Sequence, residues 1–246
     1  VDEFLQHISE RELDAALAHT KAVAGTVIMM DPMTGEILAL AIRPAFNPNI
    51  LPGRPRNSRF PSPDQWRNRA ITDVYEPGST FKIVTASAAL QEGVVTPAEL
   101  IDCERGSLMV AGSPIRDPYP HGILSFRDVV AQSSNVGMAK VAMRLGNGAF
   151  YRYSRDFGFG EKTGIDLRGE VPGILRDPSQ WSKRSLATLS IGQEVAVTPI
   201  QMITAVSVIA NGGLLIKPFL VREIRNSQGE VVERFSPQVR RRVLTT

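Results

Sequence analysis

The chain is poor in the residues that announce many protein functions: its 246 residues include one cysteine, Cys103, three histidines and two tryptophans. A lone cysteine excludes an internal disulfide. No cysteine or histidine stands at metal-ligand spacing, so no metal is expected. His7 and His19 fall in the first helical stretch and His121 follows Pro118-Tyr119-Pro120, which leaves a Ser-His-Asp hydrolase without support. A glycine-rich phosphate loop and a dinucleotide fingerprint are both missing, and no cofactor is expected. Long apolar runs are missing as well. Nothing approaches the roughly 20 uncharged apolar residues of a membrane-spanning helix, and the first residues lack a basic-then-apolar signal pattern. The excess of positive charge is small, 28 Lys and Arg against 25 Asp and Glu. Nucleic acid is therefore not an expected partner, and the run Arg240-Arg241-Arg242 reads as a solvated face or tail.

With 43% hydrophobic and 22% charged residues, the chain can bury a substantial core as one large domain or two small ones. Phe4, Leu5, Ile8, Leu13, Ala16 and Leu17 recur at helical spacing within residues 2–19. Two apolar runs, Thr26 to Met30 and Glu36 to Ile42, flank Asp31-Pro32-Met33-Thr34-Gly35 and predict a hairpin. Residues 44–66, rich in Pro, Asn, Arg and Ser, read as a long loop, ordered or mobile, of the kind that is functional or disordered rather than incidental. Ser79 to Leu90 is apolar almost all round and stops at Gly93, which predicts a buried central helix. Ser125 to Asp128 has capping-box spacing, and the pattern from Val129 to Leu145 breaks at Ser133-Ser134-Asn135, predicting two helices that meet there. Thr198-Pro199 starts a further helix running to about Ala210. Phe219 to Ile224 and Val231 to Phe235, on either side of Asn226-Ser227-Gln228-Gly229, predict a second hairpin. Hairpin, helices, hairpin is the pattern of an α+β protein.

Two groups in this frame can carry chemistry. Ser79 and Lys82 stand at i and i+3 and share a helix face near the helix start. A lysine desolvated in an apolar helix loses its proton near neutral pH and can then deprotonate a serine. Alone, Ser-x-x-Lys equally describes an N-cap serine followed by a surface lysine. Ser133-x-Asn135, at the break between two helices, adds a second hydroxyl that could relay a proton and a carboxamide that could hold a substrate amide, although both residues are also ordinary helix caps.

Taken together, Asn68-Arg69-Ala70, Tyr75-Glu76-Pro77-Gly78-Ser79-Thr80-Phe81-Lys82 and Ser133-Ser134-Asn135-Val136-Gly137-Met138 resemble the transpeptidase domains of class B penicillin-binding proteins. Secondary matches include Met30-Asp31-Pro32, Phe46-Asn47-Pro48-Asn49, Phe157-Gly158-Phe159-Gly160, Gly192-Gln193 and Val197 to Met202. Arg67 to Asp73 most resembles the division-type branch, with the elongation type as the alternative. The resemblance implies a penicillin-binding-protein/serine beta-lactamase-like fold: an antiparallel sheet, over 1–60 and 212–236, flanked by helices, with an all-helical subdomain and the active-site helix over 68–211. It implies that Ser79 attacks the penultimate D-alanine carbonyl of a peptidoglycan stem peptide and that beta-lactams acylate the same serine. Lys82 is then the acylation base, Ser133 the proton relay, Asn135 a substrate-orienting residue, Ser134 a further substrate contact, and the Ser79 N–H one oxyanion donor. It also implies an extracytoplasmic (periplasmic) site behind an N-terminal membrane anchor absent from this sequence. Division or elongation membrane proteins, including a glycan polymerase, are the implied partners. A serine beta-lactamase or carboxypeptidase, and a non-catalytic sensor or scaffold, remain the alternative readings.

The same family carries a third motif, Lys-Thr/Ser-Gly, on an edge strand. Lys162-Thr163-Gly164 has that composition but lies upstream of the helix at Thr198, inside a stretch, Phe157 to Leu167, that matches another family segment, and reads as structural. The expected strand would follow Thr246. The chain by itself is therefore expected to acylate very slowly or not at all, since losing one oxyanion donor costs about 10²–10³ in rate. A second polypeptide supplying the strand is a further implied partner.

Overall fold

The computed structural model describes residues 1–46 and 66–245. The first helix, α1 (Glu3–Thr20), is capped by Asp2, whose carboxylate accepts from the Leu5 N–H. It packs on an antiparallel hairpin of β1 (Gly25–Met30) and β2 (Ile37–Arg43), in register from Gly25 opposite Arg43 to Met29 opposite Ala39, with a shift before Met30 opposite Ile37. Gln6 reaches across and pairs with both backbone groups of Leu40, and Arg43 bonds Asp14, so polar bonds as well as apolar contact fix the helix on the strands. Alternation along β2 puts Ile37, Ala39 and Ala41 inside. The loop read over 44–66 lies, at 47–65, outside the described residues.

After the short α2 (Arg69–Thr72), a 3₁₀ turn over Gly78–Phe81 runs into α3 (Lys82–Gln91), which Gly93 ends in the left-handed region. The subdomain expected to be all-helical over 68–211 is not: residues 100–125, with only short apolar runs, form two antiparallel ribbons. In these, β3 (Leu100–Asp102) pairs with β6 (Ile123–Ser125), and β4 (Ser107–Val110) pairs with β5 (Ser113–Arg116). Next come α4 (Phe126–Ala131), α5 (Asn135–Leu145) and α6 (Asn147–Asp156), then α7 (Ser185–Leu189). The helix read at Thr198 is α8 (Pro199–Ala210), with the full reciprocal capping box between Thr198 and Gln201.

The second predicted hairpin exists but is shorter than its apolar runs: β8 (Glu223–Arg225) pairs with β9 (Val231–Arg234). It stands apart from another ribbon, β7 (Leu214–Ile216) with β10 (Val239–Arg242). A parallel bridge, Glu36 with Phe219, joins the first hairpin to this end of the chain, as does the ion pair of Arg222 with Glu36. Of the two readings of Arg240-Arg241-Arg242, strand β10 overturns the tail and keeps the solvated face, since Arg240 and Arg242 are exposed. The strand's hydrogen bonds hold these residues against Leu214 to Ile216, and Arg240 and Arg241 both pair with Glu161.

Helix α3 lies between α5 and α6, and one apolar cluster, Phe81, Val84, Phe150, Phe157, Phe159 and Val208 among its members, closes around its first turn. The Phe81 ring is fully buried and sits 4.8 Å from that of Phe159. A second cluster around Cys103, Phe126, Val129 and Met138 supports α4 and α5. The α3 start and the α4–α5 junction thus each rest on a packed floor, which fixes the two against each other.

Candidate active site

Ser79 occupies the 3₁₀ turn, where residues i and i+3 eclipse, so Ser79 and Lys82 still share a face although the turn is not α-helical. The Ser79 side chain is exposed, and among the described residues its hydroxyl takes no hydrogen bond. Lys82 is its opposite. It is 3% exposed, and its amine donates to the Ser133 carbonyl at 2.6 Å, the Ser133 hydroxyl at 3.0 Å and the Asn135 Oδ1 at 2.6 Å. Three acceptors match the three hydrogens of an ammonium group. Burial pushes Lys82 down from 10.5 to about 8, with the Asp117 carboxylate opposing that shift. Once a proton leaves, the amine has two donors and a lone pair, and the Ser133 hydroxyl can turn and donate to it.

Ser133 owes its place to backbone geometry. Helix α4 ends at Ala131 with Gln132 as its C-cap, and Ser133 adopts φ 56°, the left-handed region, before α5 begins. That conformation costs a non-glycine residue about 1–2 kcal/mol, and here it turns the Ser133 carbonyl toward Lys82. Asn135 is fixed from both ends of its amide, with Oδ1 on Lys82 and Nδ2 donating to the Arg116 carbonyl at 2.7 Å. One N–H and one lone pair remain on that amide for a further partner.

Ser134 differs from its neighbours. It is fully buried, its hydroxyl donates to Asp117 Oδ2 at 2.8 Å, and it accepts from the Gly137 N–H at 2.9 Å as the N-cap of α5. A side chain with no surface and a committed hydroxyl holds the helix start; it has no face toward a substrate.

Asp117 is a site residue that sequence reasoning missed. Its Oδ1 accepts from the backbone N–H groups of Asn135, at 2.5 Å, and Val136, at 3.0 Å, while Oδ2 takes the Ser134 hydroxyl. A carboxylate from the β5–β6 loop therefore caps α5 across 17 to 19 residues of sequence. In sequence it stands before Pro118 as an ordinary turn residue, and no local pattern links it to partners so far along the chain.

Lys162-Thr163-Gly164 belongs to a different structure. The Glu170 carboxylate accepts from the Thr163 N–H at 2.7 Å, the Thr163 hydroxyl at 2.6 Å and the Gly164 N–H at 3.0 Å, and Thr163 is buried. The tripeptide is a carboxylate-tied loop, as its position in the sequence predicts. Among the described residues no group of His, Cys, Asp and Glu could hold a metal ion, and no helix is long and apolar enough to cross a membrane.

Ser79 thus shares a turn with the buried Lys82, which is bonded to Ser133 and Asn135 at a helix junction in an α+β frame, and residues 25–244 match the family described as penicillin binding protein transpeptidase domain. The chain belongs to that family. Among curated relatives, it is 39% identical over its whole length to stage V sporulation protein D of Bacillus subtilis, of which it covers 38%. It is 38% identical, over 87% of its length, to the peptidoglycan D,D-transpeptidase FtsI of Escherichia coli K12, of which it covers 35%. The chain thus spans little more than a third of these relatives. Among solved structures, penicillin-binding protein 3 of Mycobacterium tuberculosis complexed with aztreonam superposes with a TM-score of 0.88 at 32% identity, over 99% of this chain and 53% of that one. The α+β fold inferred from the motifs is that of these proteins.

Proposed function

We propose that this chain carries the acylating site of a peptidoglycan D,D-transpeptidase, with Ser79 as nucleophile, Lys82 as its base, Ser133 as proton relay and Asn135 as the group that orients the substrate backbone. The observation that carries the reading is the Lys82 amine, buried, lowered to about 8, and bonded to both Ser133 and Asn135 one turn beyond an exposed serine. The neutral amine takes the Ser79 proton as Oγ attacks the penultimate D-alanine carbonyl. The Ser79 N–H donates to the developing oxyanion. Ser133, bonded to the same amine, passes the proton to the departing D-alanine, and the acyl-enzyme is then resolved by an amine of a neighbouring stem peptide. Beta-lactams are substrates of the first half of this sequence, in keeping with the aztreonam and ampicillin complexes of the M. tuberculosis relative. A division-type role at the outer face of the inner membrane, beside a glycan polymerase, is part of the same proposal, and the likeness to FtsI and the sporulation protein supports its transpeptidase core.

The test is to incubate the protein with a penicillin and map the adduct by mass spectrometry of tryptic peptides. Over a prolonged incubation, as slow acylation requires, the adduct is expected on the peptide containing Ser79, to be absent from Ser79→Ala, and to persist for many minutes. An adduct on another residue overturns the assignment of the nucleophile. Rapid release to water points instead to a beta-lactamase.

A further inference from the structure

The Ser79 hydroxyl is exposed and takes no hydrogen bond among the described residues, so its position is set by the backbone of its turn. That turn is tied to one distant segment, residues 190–197. Tyr75 and Val197 exchange both backbone bonds, at 3.0 and 2.9 Å, and the Gly78 N–H donates to the Gly192 carbonyl at 3.0 Å. Pro77, between them, has no N–H to contribute. The remaining tie is a side chain: Glu76 Oε1 accepts from the Glu194 N–H at 2.9 Å. The same segment also holds the helix of Lys82, because the buried Thr85 hydroxyl donates to the Ser190 carbonyl at 3.0 Å.

Two features show how tightly the segment is shaped around this contact. Gly192, at φ 78°, passes so close to Gly78 that a Cβ there would lie 2.1 Å from the Gly78 carbonyl oxygen. Glu194 adopts φ 62°, a left-handed conformation unfavourable for a residue with a Cβ, and presents its N–H to Glu76 while Thr188 Oγ1 donates to its own carboxylate at 2.6 Å.

We propose that Glu76 is a positioning residue for Ser79: together with the Gly78–Gly192 crossing, its carboxylate registers the nucleophile turn against the segment that also anchors α3, and so holds Ser79 and Lys82 at one mutual distance. The proposal rests on the acylation reading for its effect on rate, and on the hydrogen bond alone for its effect on the turn. Glu76 acts as an acceptor; its charge takes no part. A glutamine places the same Oε1 against the same N–H, whereas an alanine leaves the Glu194 N–H without its carboxylate partner.

The experiment compares Glu76→Ala and Glu76→Gln with the parent by two readouts. The first is the second-order rate of labelling by a fluorescent penicillin, with its pH profile. The second is amide hydrogen exchange of peptides covering 75–82 and 190–197 in the ligand-free protein. Glu76→Ala is expected to label about tenfold more slowly, a modest part of the roughly hundredfold that an ångström of misplacement can cost. Its pH inflection stays where the parent has it, and both peptides exchange faster. Glu76→Gln is expected to return both readouts to within about twofold of the parent, since it keeps the acceptor. Parental labelling by Glu76→Ala, or a Glu76→Gln variant as slow as the alanine, overturns the proposal. If the parent takes no label on Ser79, the acylation reading fails, and the exchange data still decide whether Glu76 holds the turn: unchanged exchange in Glu76→Ala refutes it.

Discussion

Lys82 sets a quantitative pH dependence. Burial moves its amine from 10.5 to about 8, so about one molecule in ten carries a neutral Lys82 at pH 7, where an unperturbed lysine would offer about one in three thousand. If the neutral amine is the base for Ser79, the second-order rate of acylation by a penicillin climbs about tenfold between pH 7 and 9 and levels off above that. Stopped-flow fluorescence across pH 6 to 10, corrected for hydrolysis of the free antibiotic, measures the curve. Lys82→Arg, whose guanidinium stays protonated throughout, removes the inflection and slows acylation by about 10²–10⁴. The same shift has a thermodynamic sign. The folded-state value lies below the unfolded one, so between pH 8 and 10.5 the unfolded chain holds more protons and stability rises with pH. The penalty for burying the charged amine, about 3 kcal/mol, is present in full below pH 8 and is gone above 10.5. Urea unfolding at pH 7 and pH 10, parent against Lys82→Met, should show the parent gaining stability relative to the variant at the higher pH. A rate profile that is flat from pH 6 to 10, or one that turns only above pH 10, would refute the assignment of Lys82 as the base.

Two further outcomes test the surroundings of that lysine. Asp117→Asn removes the one carboxylate that opposes the lowering of Lys82, so the inflection in acylation rate moves to lower pH; with the α5 cap weakened as well, stability falls by about 1–3 kcal/mol, measured by urea unfolding. An inflection that stays put or rises would show that Asp117 does not act on the amine. Lys162→Ala is expected to acylate at the parental rate to within about twofold, since that side chain belongs to the Glu170-tied loop. Abolished labelling would mean that the tripeptide serves the site after all.

How much of this was legible beforehand depends on the range over which each signal acts. Thr198, Pro199 and Gln201 announce α8 because a capping box is closed within one turn, and Gly93 and Gly146 stop their helices for equally local reasons. The pairing of Ser79 with Lys82 is of the same kind, since i and i+3 meet in a 3₁₀ turn as they do in an α-helix. Ser133 and Asn135 were identifiable as a break between helices, and the family likeness joined them to Ser79.

Beyond that range the sequence is silent, because the partners are set by packing. Nothing local says that Lys82 will meet Ser133, 51 residues on, nor that Asp117 will cap α5 from another loop. The division of labour within Ser133-Ser134-Asn135 is tertiary as well. One left-handed residue at the junction sends Ser133 and Asn135 toward Lys82 and buries Ser134 against Asp117, a split that three adjacent polar letters do not display. Likewise Arg240-Arg241-Arg242 has the composition of a solvated tail and becomes a strand only because Leu214 to Ile216 offer it a ladder and Glu161 a counter-charge. The sequence by itself determined α1, α3, α4, α5 and α8, though not α6 or α7, and which serine and lysine share a turn, through bonds that close within a few residues. Only the tertiary structure decided the lysine's proton affinity and the acceptors around it, because desolvation and hydrogen bonds between distant segments exist only once the chain has packed.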